Sequence, residues 1–294
     1  MVSLYGGLGN QLFQYSAARS LALRNGVSII LDLNWFEIVN GMPNTTPRRF
    51  ALKPFGLDVE LQNVGLPWHK KEWFISRIKR RLIYLLRKSQ SGIPIYSEKN
   101  SRFDFELLNK PCPLWLDGYW QSYKYFDSIS DVIRSDLGKI NFISKDNQKI
   151  YNQIVSSQSI CLHVRRGDYV TNLSANKTHG LCTPEYYQAA LKIVCEDFTD
   201  PFVFIFSDDP EWVRKNLRIP FSSLVVDINS SDNAHQDLWL MSSCKRFVIA
   251  NSSLSWWGAW LGQSPQKKVI APKDWFLTKK IDSEDLFPPD WIRV

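Results

Sequence analysis

The stretch "SICLHVRRGDYV", Ser159–Val170, carries the reading of the fold. Ile160–Val164 is a short apolar run of the kind buried in a sheet. Arg165, Arg166 and Asp168 then arrive around the single Gly167, where a strand must open into a loop. Towards the C-terminus, the strand-like runs "PFVFIF" (201–206), "SLVVD" (223–227), "RFVIA" (246–250) and "KVIAP" (268–272) alternate with helical patterns near 183–198, 209–217, 232–244 and 253–262. Thr183 before Pro184 and Glu185, and Asp209 before Pro210 and Glu211, predict helix N-caps. Such alternation predicts a parallel sheet covered on both faces, with ligands at the carboxyl ends of its strands.

Towards the N-terminus, residues 1–5 predict a very short first strand running into "GGLGNQ" (6–11) and a helix from Asn10 to Asn25. "VSIILDL" (27–33) and "LWLDGYW" (114–120) predict further strands, and 40–67, rich in Pro, Gly and Asn, an irregular loop. A helix near 123–137 places Phe126, Ile129, Val132 and Ile133 on one face. The expectation is two α/β domains meeting near 145–158, with bounds 1–155 and 156–294.

The 294 residues suffice for two such domains, and 44% apolar with 22% charged residues describes an ordinary globular chain. No run approaches the ~20 apolar residues of a membrane span, and no charged start leads into a signal-peptide core. The five scattered cysteines, without CxxC spacing, fit reduced thiols, so the expected location is cytoplasmic. Segment 69–88, "HKKEWFISRIKRRLIYLLRK", holds eight Lys/Arg against one Glu and so accounts for the whole net charge of +7. That argues against a nucleic-acid-binding protein with a broad basic face.

The polar residues fall where the predicted sheet would put them. His163, Arg165, Arg166 and Asp168 end one strand. Ser207, Asp208 and Asp209 end the next, and Asn251, Ser252, Ser253 and Ser255 follow "RFVIA". Guanidiniums, hydroxyls and helix N-termini together suit a nucleoside diphosphate; the alternative for Arg166 and Asp168 is a strand-end salt bridge. In "GGLGNQ", Gly7 and Gly9 follow a strand and open a helix, as a dinucleotide fingerprint does, but Leu12 stands where the third glycine belongs. A nicotinamide-dependent oxidoreductase would need that glycine. The loop still offers backbone amides and Asn10 to an anion or a sugar hydroxyl, or is simply a tight turn. Asp208 and Asp209, with no third ligand nearby in sequence, make a poor metal site. A non-catalytic carbohydrate-binding module would explain the aromatics but not two arginines at a strand end.

With "GGLGNQLFQYSAARSLA" (6–22), "GYWQSYKYF" (118–126), "HVRRGDYV" (163–170), "FSDDPEWV" (206–213) and "LWLMSSCKRFVIANSSLSWWGAWL" (238–261) in this order, the chain resembles the bacterial α-1,2-fucosyltransferases, glycosyltransferase family 11. The match spans most of the chain; Leu254 stands where Phe is common. The resemblance implies a GT-B-type fold, two Rossmann-like domains with the active site in the cleft between them. It implies inverting transfer of L-fucose from GDP-L-fucose to a galactose hydroxyl, with no metal required. It makes Arg165 the ligand of the donor's β-phosphate, beside Arg166. Asp208 or Asp209 becomes a guanine or ribose contact, and Asn251, Ser252, Ser253, Gly7, Gly9 and Asn10 lie near pyrophosphate and acceptor. His163 belongs to the same motif. The general base stays open between Asp168, which equally could orient the arginines, His179 and Glu185. On the acceptor side, Tyr119, Trp120 and Gln121 either meet a galactose ring or pack in the core. Trp256, Trp257 and Trp260 are expected to be core.

The basic segment follows from the residues alone. At helical spacing Phe74, Ile75, Ile78, Leu82, Leu85 and Leu86 share a face, with most of the cations elsewhere. This is the pattern of an interfacial helix on an anionic membrane, where lipid-linked glycan acceptors are presented, and equally of a helix packed on its own domain.

Overall fold

The computed structural model describes residues 1–39, 47–62, 91–138 and 144–294. The basic segment 69–88 and residues 40–46 and 63–67 of the expected loop lie outside these residues; the described part of that loop is not wholly irregular, since it forms a 3-10 turn, Lys53–Phe55, and a short strand, Glu60–Gln62. The chain divides into two compact units, Met1–Ile133 and Arg134–Val294. This differs from the expected division at 155/156. The helix Lys145–Ser156 is N-capped by Ser144, buries Ile150 and Ile154, packs the Tyr151 ring at a tilt against Trp239 at 4.5 Å and bonds Asn147 to Asn229. All of these partners belong to the second unit.

The first unit holds a parallel five-stranded sheet. Its strands are β1 (Val2–Ser3), β2 (Ile30–Asp32), β3 (Glu60–Gln62), β4 (Ile95–Ser97) and β5 (Trp115–Asp117), in the order β3-β2-β1-β5-β4. The helix Leu8–Asn25 leaves β1 through the glycine loop and is buried along most of its length. Its glutamines make that possible. Gln11 donates to the carbonyls of Gly6 and Arg49 and accepts from Ala51 N, and Gln14 accepts from Tyr5 N. The helix stops at Gly26, whose φ of 62° is the left-handed conformation that glycine adopts without strain.

The second unit holds a parallel six-stranded sheet. Its strands are β6 (Gln158–Val164), β7 (Pro201–Ser207), β8 (Ser222–Val226), β9 (Arg246–Val248), β10 (Val269–Ala271) and β11 (Ile292–Arg293), in the order β11-β10-β9-β6-β7-β8. Alternation along β6 sends Ile160, Leu162 and Val164 into one buried cluster with Tyr187, Ala190, Leu191 and Val194 of the helix Pro184–Val194. His163 therefore points to the opposite face. Trp256, Trp257 and Trp260, on the helix Ser253–Leu261, are buried as expected.

Each unit thus has the parallel α/β layout that a GT-B-type fold requires. Each sheet also changes direction once: β1 to β3 run one way and β5 lies on the other side of β1, while β6 to β8 run one way and β9 lies on the other side of β6. Loops at the carboxyl ends of strands flanking such a reversal diverge and leave a crevice.

Candidate active site

In the second unit the strand order reverses between β6 and β9, and the two arginines directly follow the carboxyl end of β6. The Arg165 guanidinium meets two carboxylates, Asp168 at 2.5 Å and Asp208 at 2.9 Å, and lies over the Tyr169 ring at 5.5 Å. Burial acts to lower its pKa, but Asp208 and Asp168 outweigh that and raise it, so the charge is permanent. Arg166 is held differently: Nε donates to Asp209 at 3.0 Å and the guanidinium lies 3.9 Å over the Trp212 ring. The salt bridge weighed for Arg166 and Asp168 is not formed; Asp168 belongs to Arg165 and Asp209 to Arg166.

Asp208 organises the group. One oxygen accepts from Arg166 N at 2.8 Å and the other pairs with Arg165. A Cβ at Gly167 would collide with that second oxygen, which is why a glycine stands there. Asp209 also caps the helix Pro210–Asn216 by accepting from Trp212 N at 3.1 Å. The two aspartates expected to face guanine or ribose are thus turned toward the arginines.

The remaining expected residues divide. His163 is only 5% exposed, its Nδ1 has no hydrogen-bond partner among the described residues, and burial followed by the Arg165 charge depresses its pKa to about 3. Both effects favour its neutral form. His179 ends a short helix, Leu173–His179, rather than lying on a loop, and stacks flat on Tyr169 at 4.7 Å. Burial lowers its pKa as well, against the pull of Asp168. Glu185 is exposed at the start of the helix Pro184–Val194, where the helix terminus and Thr183 lower its pKa. That is a capping role.

Asn251 is a buried anchor. Its Nδ2 donates to the carbonyls of His179 (2.7 Å) and Trp275 (3.3 Å), and its own carbonyl accepts from Tyr169. Ser252 opens the helix Ser253–Leu261 without a side-chain cap bond, and no acidic residue occupies that helix's first turn. The first-turn amides of that helix, after the carboxyl end of β9, thus have neither a side-chain cap nor an acid in the turn to offset their positive end.

In the first unit, Gly7 opens the helix Leu8–Asn25, again with no side-chain cap and no acid in the first turn, and Gly9 lies buried within it. Asn10 accepts from Gln121 Nε2 at 2.8 Å, joining the glycine loop to the loop after β5. Tyr119 is 45% exposed, but Trp120 is 1% exposed and stacks near Tyr96. Trp120 is therefore core, and its expected place against a sugar ring is corrected. Its φ of 55° is the left-handed conformation, uncommon for a residue with a side chain.

Sequence reasoning missed Asp237. Its carboxyl, pushed up to about 6 by burial, accepts from Asn229 Nδ2 at 2.7 Å in the helix that follows β8 and its loop. It stands one residue before "LWLMSS", and only its position beside a quoted motif could have drawn notice. Among the described residues no three His, Cys, Asp or Glu side chains gather as metal ligands would.

Residues 96–294 match Glycosyl transferase family 11. An α-1,2-colitosyltransferase of Escherichia coli is 33% identical over 99% of this chain and 97% of its own. The chain belongs to glycosyl transferase family 11. The O-antigen biosynthesis glycosyltransferase WbnK of Escherichia coli is 32% identical, with 99% of each chain covered. A galactoside 2-α-L-fucosyltransferase of Caenorhabditis elegans is 28% identical over 62% of this chain and 53% of its own. As a family member this chain is a glycosyltransferase, and the arginine group lies within the matched region.

Proposed function

We propose that this family 11 enzyme transfers L-fucose from GDP-β-L-fucose to the 2-hydroxyl of a terminal galactose, inverting the anomeric carbon. The observation that carries the reading is the Asp208-centred group, which fixes Arg165 and Arg166 side by side at the end of β6. Cleavage of the sugar–phosphate bond leaves negative charge on the departing GDP. Two preorganised guanidiniums, one of them kept charged by its carboxylates, receive that charge without a metal ion. In this scheme Arg165 meets the β-phosphate and the helix start at Ser252 and Ser253 supplies amides to the pyrophosphate, while the Gly7 and Gly9 loop of the first unit offers amides to the acceptor. Asp168, paired with Arg165, orients it.

A second donor is favoured by a specific similarity. The relative named as a colitosyltransferase shares 33% identity across the chain. Colitose is L-fucose without its 3-hydroxyl, so one polar contact at that carbon decides between the two sugars. The test is product formation from GDP-fucose and GDP-colitose with a panel of galactosides, followed by linkage analysis. An α-1,2 product from GDP-fucose, formed equally in EDTA, supports the proposal. Exclusive use of GDP-colitose, another linkage, or a requirement for Mg²⁺ or Mn²⁺ overturns the corresponding part. Arg165→Lys should lose ~10²–10³ in turnover, since a point charge does not reproduce the bidentate fork. The basic segment 69–88 adds a proposed peripheral contact with the anionic inner face of the cell membrane, where a lipid-linked glycan acceptor would be met.

A further inference from the structure

The first unit's sheet reverses between β1 and β5, and the residues leaving those strands join the exposed Tyr119 to side chains that no reading above has used. Tyr5 follows β1, and its hydroxyl donates to Asp117 at the end of β5. The Tyr5 ring packs edge-on against two other aromatics, Trp35 at 5.9 Å and Tyr119 at 5.8 Å. Tyr5 and Trp35 are half-buried and Tyr119 is exposed, so three rings from three strand ends form a wall beside one carboxylate.

This wall is built at a cost in backbone strain. Trp120 adopts φ 55°, a left-handed conformation uncommon for any residue with a side chain. The strain is held by Glu98, whose two carboxylate oxygens accept from Tyr119 N at 2.7 Å and from Trp120 N at 2.9 Å. Gly118 completes the device, because a Cβ there would collide with the Glu98 side chain. The result is that Trp120 is driven into the core while Tyr119 is presented outward against Tyr5. Were packing alone at stake, an extended backbone would bury one ring without the strain.

We propose that Tyr119, Tyr5, Trp35 and Asp117 form a pyranose-binding subsite for the acceptor glycan, the rings covering the apolar face of the terminal hexose and Asp117 accepting from its hydroxyls. An aromatic wall with a few convergent polar groups, at the reversal point of a parallel sheet, is the usual make-up of a small-molecule site. Burial raises the Asp117 pKa, which fits a carboxyl withdrawn from bulk water and ready to take a hydroxyl hydrogen bond. The Asn10–Gln121 amide pair lies on the same two loops and joins them. A galactoside suits such a wall, since its axial 4-hydroxyl leaves one ring face with C–H groups only.

The identity of the sugar as an acceptor rests on the transferase reading; its binding here does not. The experiment is therefore saturation-transfer NMR with methyl β-galactoside in the presence of GDP, on wild type, Tyr119→Ala, Asp117→Asn and Tyr5→Phe. Thermal melts verify that each variant folds, and the GDP resonances serve as an internal reference. The expected result is galactoside binding by the wild type, weakened at least tenfold in Tyr119→Ala and Asp117→Asn and less in Tyr5→Phe, with GDP binding unchanged. In turnover assays the same variants should raise the acceptor KM and leave the donor KM within twofold. Undiminished galactoside binding in folded Tyr119→Ala and Asp117→Asn, or no binding by the wild type, overturns the subsite. Binding with no transfer from any GDP-sugar would retain the subsite and overturn the transferase donor instead.

Discussion

Asp208 shows how one side chain can hold two neighbours. It bonds Arg166 N and the Arg165 guanidinium at once, and Gly167 exists to leave it room. Gly167→Ala should push that carboxylate off both partners. The expected outcome is a loss of turnover of ~10² or more with the melting temperature lowered by only a few degrees, read by initial rates and circular dichroism. Turnover near wild type would mean that the Asp208 contacts are incidental. The side-by-side arginines were legible in the sequence, but their partners were not, because pairing depends on side-chain direction at a strand end rather than on spacing. Asp237 was invisible for a related reason, since only burial makes it unusual. Its folded pKa is pushed up to about 6 by burial, against an ordinary value near 4. The folded state thus binds this proton more tightly than the unfolded chain, and stability falls as pH rises through about 4 to 6. Asp237→Asn should melt higher than wild type at about pH 7.5 and equal to it near pH 4. His163, depressed to about 3, tilts the same window the other way in both proteins and cancels in the difference.

Among the elements, the helix caps were the most legible feature. Thr183 and Asp209 each precede Pro and Glu, and each accepts from the amide three residues on, Tyr186 N and Trp212 N. The two caps differ in what else they hold. Thr183→Ala should cost about 1 kcal/mol and leave turnover unchanged, because only the helix Pro184–Val194 depends on it. Asp209→Ala removes the same kind of cap and also the Nε partner of Arg166, so it should lower both stability and turnover. Chemical denaturation with parallel rate measurements separates them; equal effects on turnover would contradict the assignment. The strands read correctly from sequence were mostly interior ones, whose apolar runs are continuous because both faces are covered. Those missed, β3, β4 and β11, are two or three residues long and lie at sheet edges with much of their surface exposed. Edge strands need little apolar content, so composition hides them. The helix Lys145–Ser156 was missed because its buried face is narrow, essentially Asn147, Ile150 and Ile154, within a polar sequence.

At the scale of the whole molecule, both sheets follow one rule: apolar strands carry polar side chains at their carboxyl ends, on the loops beside the reversal of strand order. The two-unit α/β plan was legible for that reason, since the clusters recur at strand ends along the chain. The net charge obeys a different logic. It is concentrated in residues 69–88, where eight Lys/Arg face one Glu, while the remainder of the chain is neutral. No described helix is long and apolar enough to cross a membrane. Each cation near an anionic surface contributes up to ~1 kcal/mol, and the attraction fades beyond a Debye length of ~8 Å at physiological salt. Eight cations therefore suffice for reversible binding, provided that the segment reaches the surface. The prediction is that the protein co-sediments with anionic but not with neutral vesicles, and that raising the salt releases it. A variant with Arg77, Arg80, Arg81 and Arg87 changed to Gln should remain in the supernatant while transferring sugar to a soluble galactoside at the wild-type rate. Its activity on a lipid-linked acceptor should fall, because only there does location limit encounter. Equal sedimentation of wild type and variant, or none of either, would mean that the cations serve solubility and that the acceptor is met in solution.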